Sequence, residues 1–152
     1  MKPIVIGIGN LLRSDDGAGL HIVEALREEN SGDKVDLREC LSGLDVLDAV
    51  RGYDRIIIVD AIMSGGEPGT LYTLSLKDLD EKHTLHSFSA HLNMDLPATI
   101  ELGKKLFPHE VSEEITIVAV EAEDITTISD KCTPKVERAI PQAVKLIKRL
   151  LL

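Results

Sequence analysis

The stretch Asp54 to Asp60 reads Asp-Arg-Ile-Ile-Ile-Val-Asp. Ile56, Ile57, Ile58 and Val59 stand between charged residues, all apolar and β-branched. Successive strand residues point to opposite faces, so such a strand is apolar on both. Only a central strand covered by other elements above and below can bury it, which is the habit of parallel sheets. The flanking sequence supplies the covers, because strands and helices alternate along the chain. That alternation predicts an α/β sandwich with a largely parallel sheet.

Pro3 to Gly9 reads as a short buried strand, and Asp15 to Glu29 as a helix with Ala18, Ile22, Val23 and Leu26 on one face. Ser14 and Asp15 are expected to cap its start. A second strand is expected over Lys34 to Glu39 and a short helix over Leu44 to Val50. Ser64 to Gly69 is a turn cluster, and Thr70 to Leu76 reads as a strand. His91 to Leu106 reads as a helix and Glu114 to Val120 as a strand. Thr133-Pro134 opens a last helix to Leu151, which Pro141 is expected to kink. With 152 residues and no repeat or linker, the whole chain is expected to form one domain.

Charge narrows the partners. Lysine and arginine number 17 against 26 acidic residues, a net charge of −9. A chain this acidic lacks the basic footprint of a nucleic-acid binder and is repelled by anionic membranes. Its surface would suit a basic substrate segment. No apolar run is long enough to span a bilayer. The opening residues are too Gly-rich for the apolar region of a signal peptide. Cys40 and Cys132 form no CxxC or Cys/His spacing, and are expected to be free thiols of a cytoplasmic protein.

Three residues could carry chemistry together. In parallel α/β sheets, ligands bind beyond the carboxyl ends of the strands. Asp16 lies on the exit of the first strand, Asp60 ends the central one, and His91 opens a helix. Two carboxylates and an imidazole form an O,O,N set that suits Ni²⁺ or Zn²⁺ and leaves positions open for substrate. Gly7-x-Gly9 lacks the third glycine of a dinucleotide site, and Asp15 and Asp16 would repel a phosphate there. A metallochaperone would be expected to bring softer or more numerous ligands.

The run Gly7-Ile-Gly-Asn-Leu-Leu-Arg-Ser-Asp-Asp-Gly-Ala-Gly19, then Val59-Asp60-Ala61, then Ser89-Ala90-His91, resembles the hydrogenase maturation proteases over essentially the whole chain. The resemblance implies a three-layer α/β/α sandwich around a twisted, mostly parallel five-stranded sheet. It implies a nickel-dependent endopeptidase that removes the C-terminal extension of a [NiFe] hydrogenase large-subunit precursor after nickel insertion. The Ni²⁺ would arrive with the precursor. Asp16, Asp60 and His91 would be the metal-facing and catalytic residues. The first family ligand is often glutamate, where this chain has the shorter Asp16. The family usually has a proline after the fifth strand, where this chain has Glu121-Ala-Glu-Asp124. The other reading of the same residues is a nickel-binding chaperone that cleaves nothing. The chain is expected to act as a monomer.

Overall fold

The computed structural model of the chain describes residues 2–29, 34–81 and 96–152. Among them, strand β1 (Ile4–Ile8) leads through a short 3-10 turn (Ser14–Gly17) into helix α1 (Ala18–Glu28). Then come β2 (Asp36–Cys40), α2 (Gly43–Ala49), β3 (Ile56–Ile62), β4 (Leu71–Leu74), α3 (Leu76–Glu81), α4 (Leu96–Leu106), β5 (Ile115–Glu121) and α5 (Pro134–Leu150). The strands form one sheet in the order β2-β1-β3-β5-β4. The first four are mutually parallel, and β4 runs antiparallel to β5. The strand order reverses between β1 and β3, which makes the crevice above them the switch point of the sheet.

The alternation in β3 sorts the core into two layers. Ile56 and Ile58 pack with Ile4, Ile6, Val46 and Ile100, under α2 and α4. Ile57 and Val59 face the other way, onto Ile22, Val23, Val136 and Val144 of α1 and α5. The result is the three-layer α/β/α sandwich with a mixed, mostly parallel five-stranded sheet. No helix among the described residues is long and apolar enough to cross a membrane.

The glycines of the first motif are spacers for packing rather than a phosphate cradle. A Cβ on Gly19 would lie 2.4 Å from the Val59 carbonyl oxygen and 2.8 Å from that of Ile8. One on Gly7 would lie 2.5 Å from the Gly19 carbonyl oxygen. Helix α1 therefore sits directly on the backbone of β1 and β3. Alanine at position 19 would gain up to about 1 kcal/mol of helix propensity. Pushing backbone apart costs about 1–3 kcal/mol, and the crowding wins. Gly19→Ala is expected to melt several degrees below wild type in a thermal scan; an unchanged Tm would refute the close contact.

Several boundaries differ from the expectation for physical reasons. The helix expected from Asp15 begins at Ala18, because residues 14–17 wind as a tighter 3-10 turn with no side-chain cap. Strand β3 runs two residues beyond Asp60, paired to β5 as far as Ile62 and Glu121. Leu76 opens helix α3 rather than closing a strand. There the Asp78 N–H donates to Ser75 Oγ at 3.1 Å and the Ser75 N–H to Asp78 Oδ2 at 2.8 Å, a reciprocal capping box. Helix α5 runs from Pro134 through Pro141 as expected, ending at Leu150, one residue earlier.

Candidate active site

The loop after β1 is built to turn sharply. Gly9 has φ +150°, and a Cβ there would fall 1.9 Å from the Asp16 carbonyl oxygen. Asn10 follows and organises the bend: its Oδ1 accepts the Leu12 N–H at 2.9 Å, and its carbonyl accepts the Arg13 N–H at 3.2 Å. Ser14 takes a left-handed conformation, φ 51°, which is costly for a residue with a Cβ. Its N–H is tied to the Ser129 carbonyl at 2.9 Å. The strained turn packs against β3 and delivers two adjacent carboxylates in different directions.

Asp15 points away from the crevice. It is fully buried. Its Oδ2 accepts the N–H groups of Glu123 at 2.9 Å and Asp124 at 3.1 Å and the Thr133 hydroxyl at 2.8 Å. Its Oδ1 accepts the Thr133 N–H at 2.7 Å. The expected cap at the start of α1 is therefore a clasp on the loop between β5 and α5, ending at the first residue before α5. This is a correction: the spacing showed a carboxylate at a helix start, but its partners lie more than a hundred residues away along the chain.

Asp16 faces the sheet edge. It is buried, and its Oδ2 accepts the Asn10 N–H at 3.1 Å. Asp60 is 2% exposed, and its Oδ1 accepts the N–H of the next residue, Ala61, at 2.7 Å. Burial pushes the Asp60 carboxyl well above the usual carboxylate range, and the nearby Asp16 charge pushes it further, against the pull of the Ala61 N–H. Two of the predicted residues thus meet at the switch point, where β1 and β3 lie side by side. His91, with Ser89 and Ala90, lies outside the described residues. No group of three or more metal-ligating side chains forms among the described residues.

Glu121 is a residue whose role the sequence did not reveal. It ends β5 with 1% exposure. Its carboxylate accepts the Ser64 N–H at 2.8 Å, the Ser64 hydroxyl, and the Tyr72 hydroxyl at 3.0 Å. It therefore anchors the loop that leaves β3 just beyond Asp60. The signal that could have found it is a glutamate directly after the apolar run of β5, where burial demands donors.

Cysteine chemistry is not on offer. Burial pushes the thiols of Cys40 and Cys132 up to about 12, so both stay protonated near neutrality. Both are free thiols, as expected. What the arrangement does offer is a pair of neighbouring buried carboxyl groups at the carboxyl edge of the sheet, one of them held well above the usual carboxylate range. That is acid–base equipment, with oxygen donors for a cation.

Comparison with known proteins places this site in context. A family model described as hydrogenase maturation protease matches residues 20–150. The hydrogenase 2 maturation protease of Escherichia coli is 30% identical over 150 residues, covering 97% of this chain and 88% of the relative. The hydrogenase expression/formation protein HupD of Rhizobium leguminosarum is 30% identical, covering 97% of this chain and 73% of its own. Among solved structures, the hydrogenase maturating endopeptidase HybD of E. coli superposes with a TM-score of 0.79 at 27% identity, covering 99% of this chain and 92% of that one. The maturation protease HybD of Thermococcus kodakarensis shares the fold with a TM-score of 0.78 at 22% identity, over the full length of both chains. Sequence and fold agree across nearly the whole chain, and the chain belongs to the hydrogenase maturation protease family, endopeptidases of hydrogenase assembly.

Proposed function

We propose that this chain removes the C-terminal extension from the large-subunit precursor of a [NiFe] hydrogenase after nickel has been inserted. The observation that carries this reading is the buried Asp16–Asp60 pair at the switch point of the sheet. Two carboxylates held close in a region of low dielectric repel each other, and a proton or a cation relieves the repulsion. In this reading the cation is nickel that belongs to the substrate, carried in by the precursor. Asp16 and Asp60 supply oxygen donors and His91 an imidazole nitrogen, a set that suits Ni²⁺ and leaves it room for the precursor's own groups.

With nickel relieving the repulsion, Asp60 is held as a carboxylate, and it takes a proton from the attacking water. The water oxygen adds to the scissile carbonyl carbon, the C–N bond breaks, and the proton passes to the leaving amine. Polarisation of the carbonyl by the substrate's nickel would lower the same barrier.

The direct test incubates the protein with nickel-loaded precursor and with nickel-free precursor, and follows the mass of each. Loss of the extension from the loaded form alone supports the reading. Tight nickel binding with no mass loss would favour a metallochaperone instead. A further expectation concerns the isolated enzyme. Without thiolates, the site holds nickel weakly, so dialysed protein should carry well below one equivalent by elemental analysis. Stoichiometric, chelator-resistant metal would contradict a substrate-borne ion.

A further inference from the structure

Large apolar side chains are exposed unevenly over this molecule. Six of the nine exposed among the described residues lie at the carboxyl edge of the sheet: Leu11, Leu12, Leu41, Met63 and Ile128 in loops, and Leu44 in the first turn of α2. Leu44 is 77% exposed, Leu12 61% and Ile128 87%. Backbone hydrogen bonds tie these loops into one rim. The Gly9 N–H meets the Cys40 carbonyl at 3.3 Å, bringing Leu41 beside the start of the Asn10 turn. The Ser129 N–H meets the Leu12 carbonyl at 3.0 Å, bringing Ile128 beside Leu12. Asp16 hangs beneath this rim from the Asn10 N–H. Leu12, Leu41 and Ile128 therefore stand around the loop that carries Asp16.

Exposed carboxylates, Asp45 beside Leu44 among them, border these apolar side chains. The Asp45 carboxylate accepts the Leu41 N–H at 3.2 Å, and Asp124 accepts from Thr126 and Thr127 within its own loop. The exposed apolar side chains therefore stand among polar and charged neighbours. Exposed apolar patches rimmed by polar residues mark docking sites for other proteins. An endopeptidase that brings a scissile peptide down to Asp60 must cover whatever surrounds the crevice.

We infer that Leu12, Ile128, Leu41 and Leu44 form the docking surface for an apolar face of the folded precursor, the face from which its C-terminal extension emerges. The inference rests on the reading that this protein trims such a precursor. It assigns recognition to buried apolar area rather than to attraction between an acidic enzyme and a basic segment.

The test measures KM and kcat with nickel-loaded precursor for wild type, Leu12→Asp, Ile128→Asp and the milder Leu12→Ser. Leu106→Asp, on the exposed end of α4, serves as control. A charge set into an apolar docking face is expected to raise KM by about tenfold or more, with kcat little altered, and the serine variant should fall between. Leu106→Asp should behave as wild type. Wild-type KM should change by less than about threefold between about 50 and about 300 mM salt, because apolar contacts are not screened. Wild-type KM in both aspartate variants, at wild-type Tm, would overturn the docking surface and leave the protease reading standing. No trimming by wild type would overturn the protease reading and the docking surface with it. A steep rise of KM with salt would assign recognition to charge. A wild-type dimer that Leu12→Asp dissolves in sedimentation experiments would give the rim to a second copy of this chain. Either result would overturn the inference.

Discussion

Asp60→Asn is expected to abolish trimming of the nickel-loaded precursor while making the metal-free protein more stable. The amide is nearly the same size and can still accept the Ala61 N–H that Asp60 holds at 2.7 Å. It has no charge and no useful basicity, so it neither binds a divalent ion well nor takes a proton. Loss of a general base alone costs about 10²–10⁴ in rate, and loss of an anionic metal ligand adds to it. Stability moves the other way, with a pH signature. In the native state burial and Asp16 hold the Asp60 carboxyl well above its unfolded range. Below the unfolded value of about 4, the group is protonated in both states and the two proteins should melt together. As pH rises from there, unfolding releases a proton that the native state holds, so wild type loses stability relative to the asparagine variant until the native carboxyl has ionised. The variant's Tm advantage should therefore open above about pH 4 and reach a few degrees at pH 8. A variant that trims at the wild-type rate would remove Asp60 from the chemistry. A variant less stable than wild type at pH 8 would show that the carboxylate is satisfied in the native state.

Much of the architecture was legible because it depends on local patterns. The run Ile56 to Val59 announced a strand buried on both faces, and the structure seats it between two helical layers. Thr133-Pro134 announced the start of α5, and the helix begins at Pro134. What the pattern could not supply were pairings between distant residues. Asp15 and Asp16 are neighbours of identical chemistry. From the sequence, Asp15 takes a structural role and Asp16 the site, but nothing local shows that Asp15 holds Thr133 and the loop after β5 rather than the start of α1. That division follows from a 3-10 turn and a left-handed Ser14, both fixed by contacts with Ser129. Glu121 stands in the sequence only as a glutamate ending an apolar run, with no sign of its partners. Its donors arrive by two separate pairings: β3 sets Ile62 against Glu121, two residues before Ser64, and β4 brings Tyr72 when it closes antiparallel on β5. The candidate site was therefore readable as residue types at strand exits, whereas the machinery that aims them was readable only in three dimensions.

The division of labour between the two neighbouring carboxylates predicts opposite phenotypes. Asp15→Ala is expected to lose stability first, where Asp60→Asn loses chemistry. Removing the Asp15 carboxylate strips the N–H groups of Glu123, Asp124 and Thr133 of the acceptor they share, and the Thr133 hydroxyl of its partner. Each donor left unsatisfied away from water costs about 1–3 kcal/mol. Water entering the partly exposed loop recovers some of this, so the net loss should be about 3–5 kcal/mol, comparable to breaking a buried polar network. For a domain of this size that lowers Tm by about 10 °C or more. Asp15→Asn should fall between. Its amide oxygen can still serve Thr133, but its NH₂ group then confronts the N–H groups of Glu123 and Asp124 as donor against donor. The loop that Asp15 secures also carries Ile128, so proteolysis between Ala122 and Thr133 should accelerate in Asp15→Ala well below its melting temperature. An Asp15→Ala protein that melts within two or three degrees of wild type would show that the clasp is dispensable and that the loop is held by other contacts.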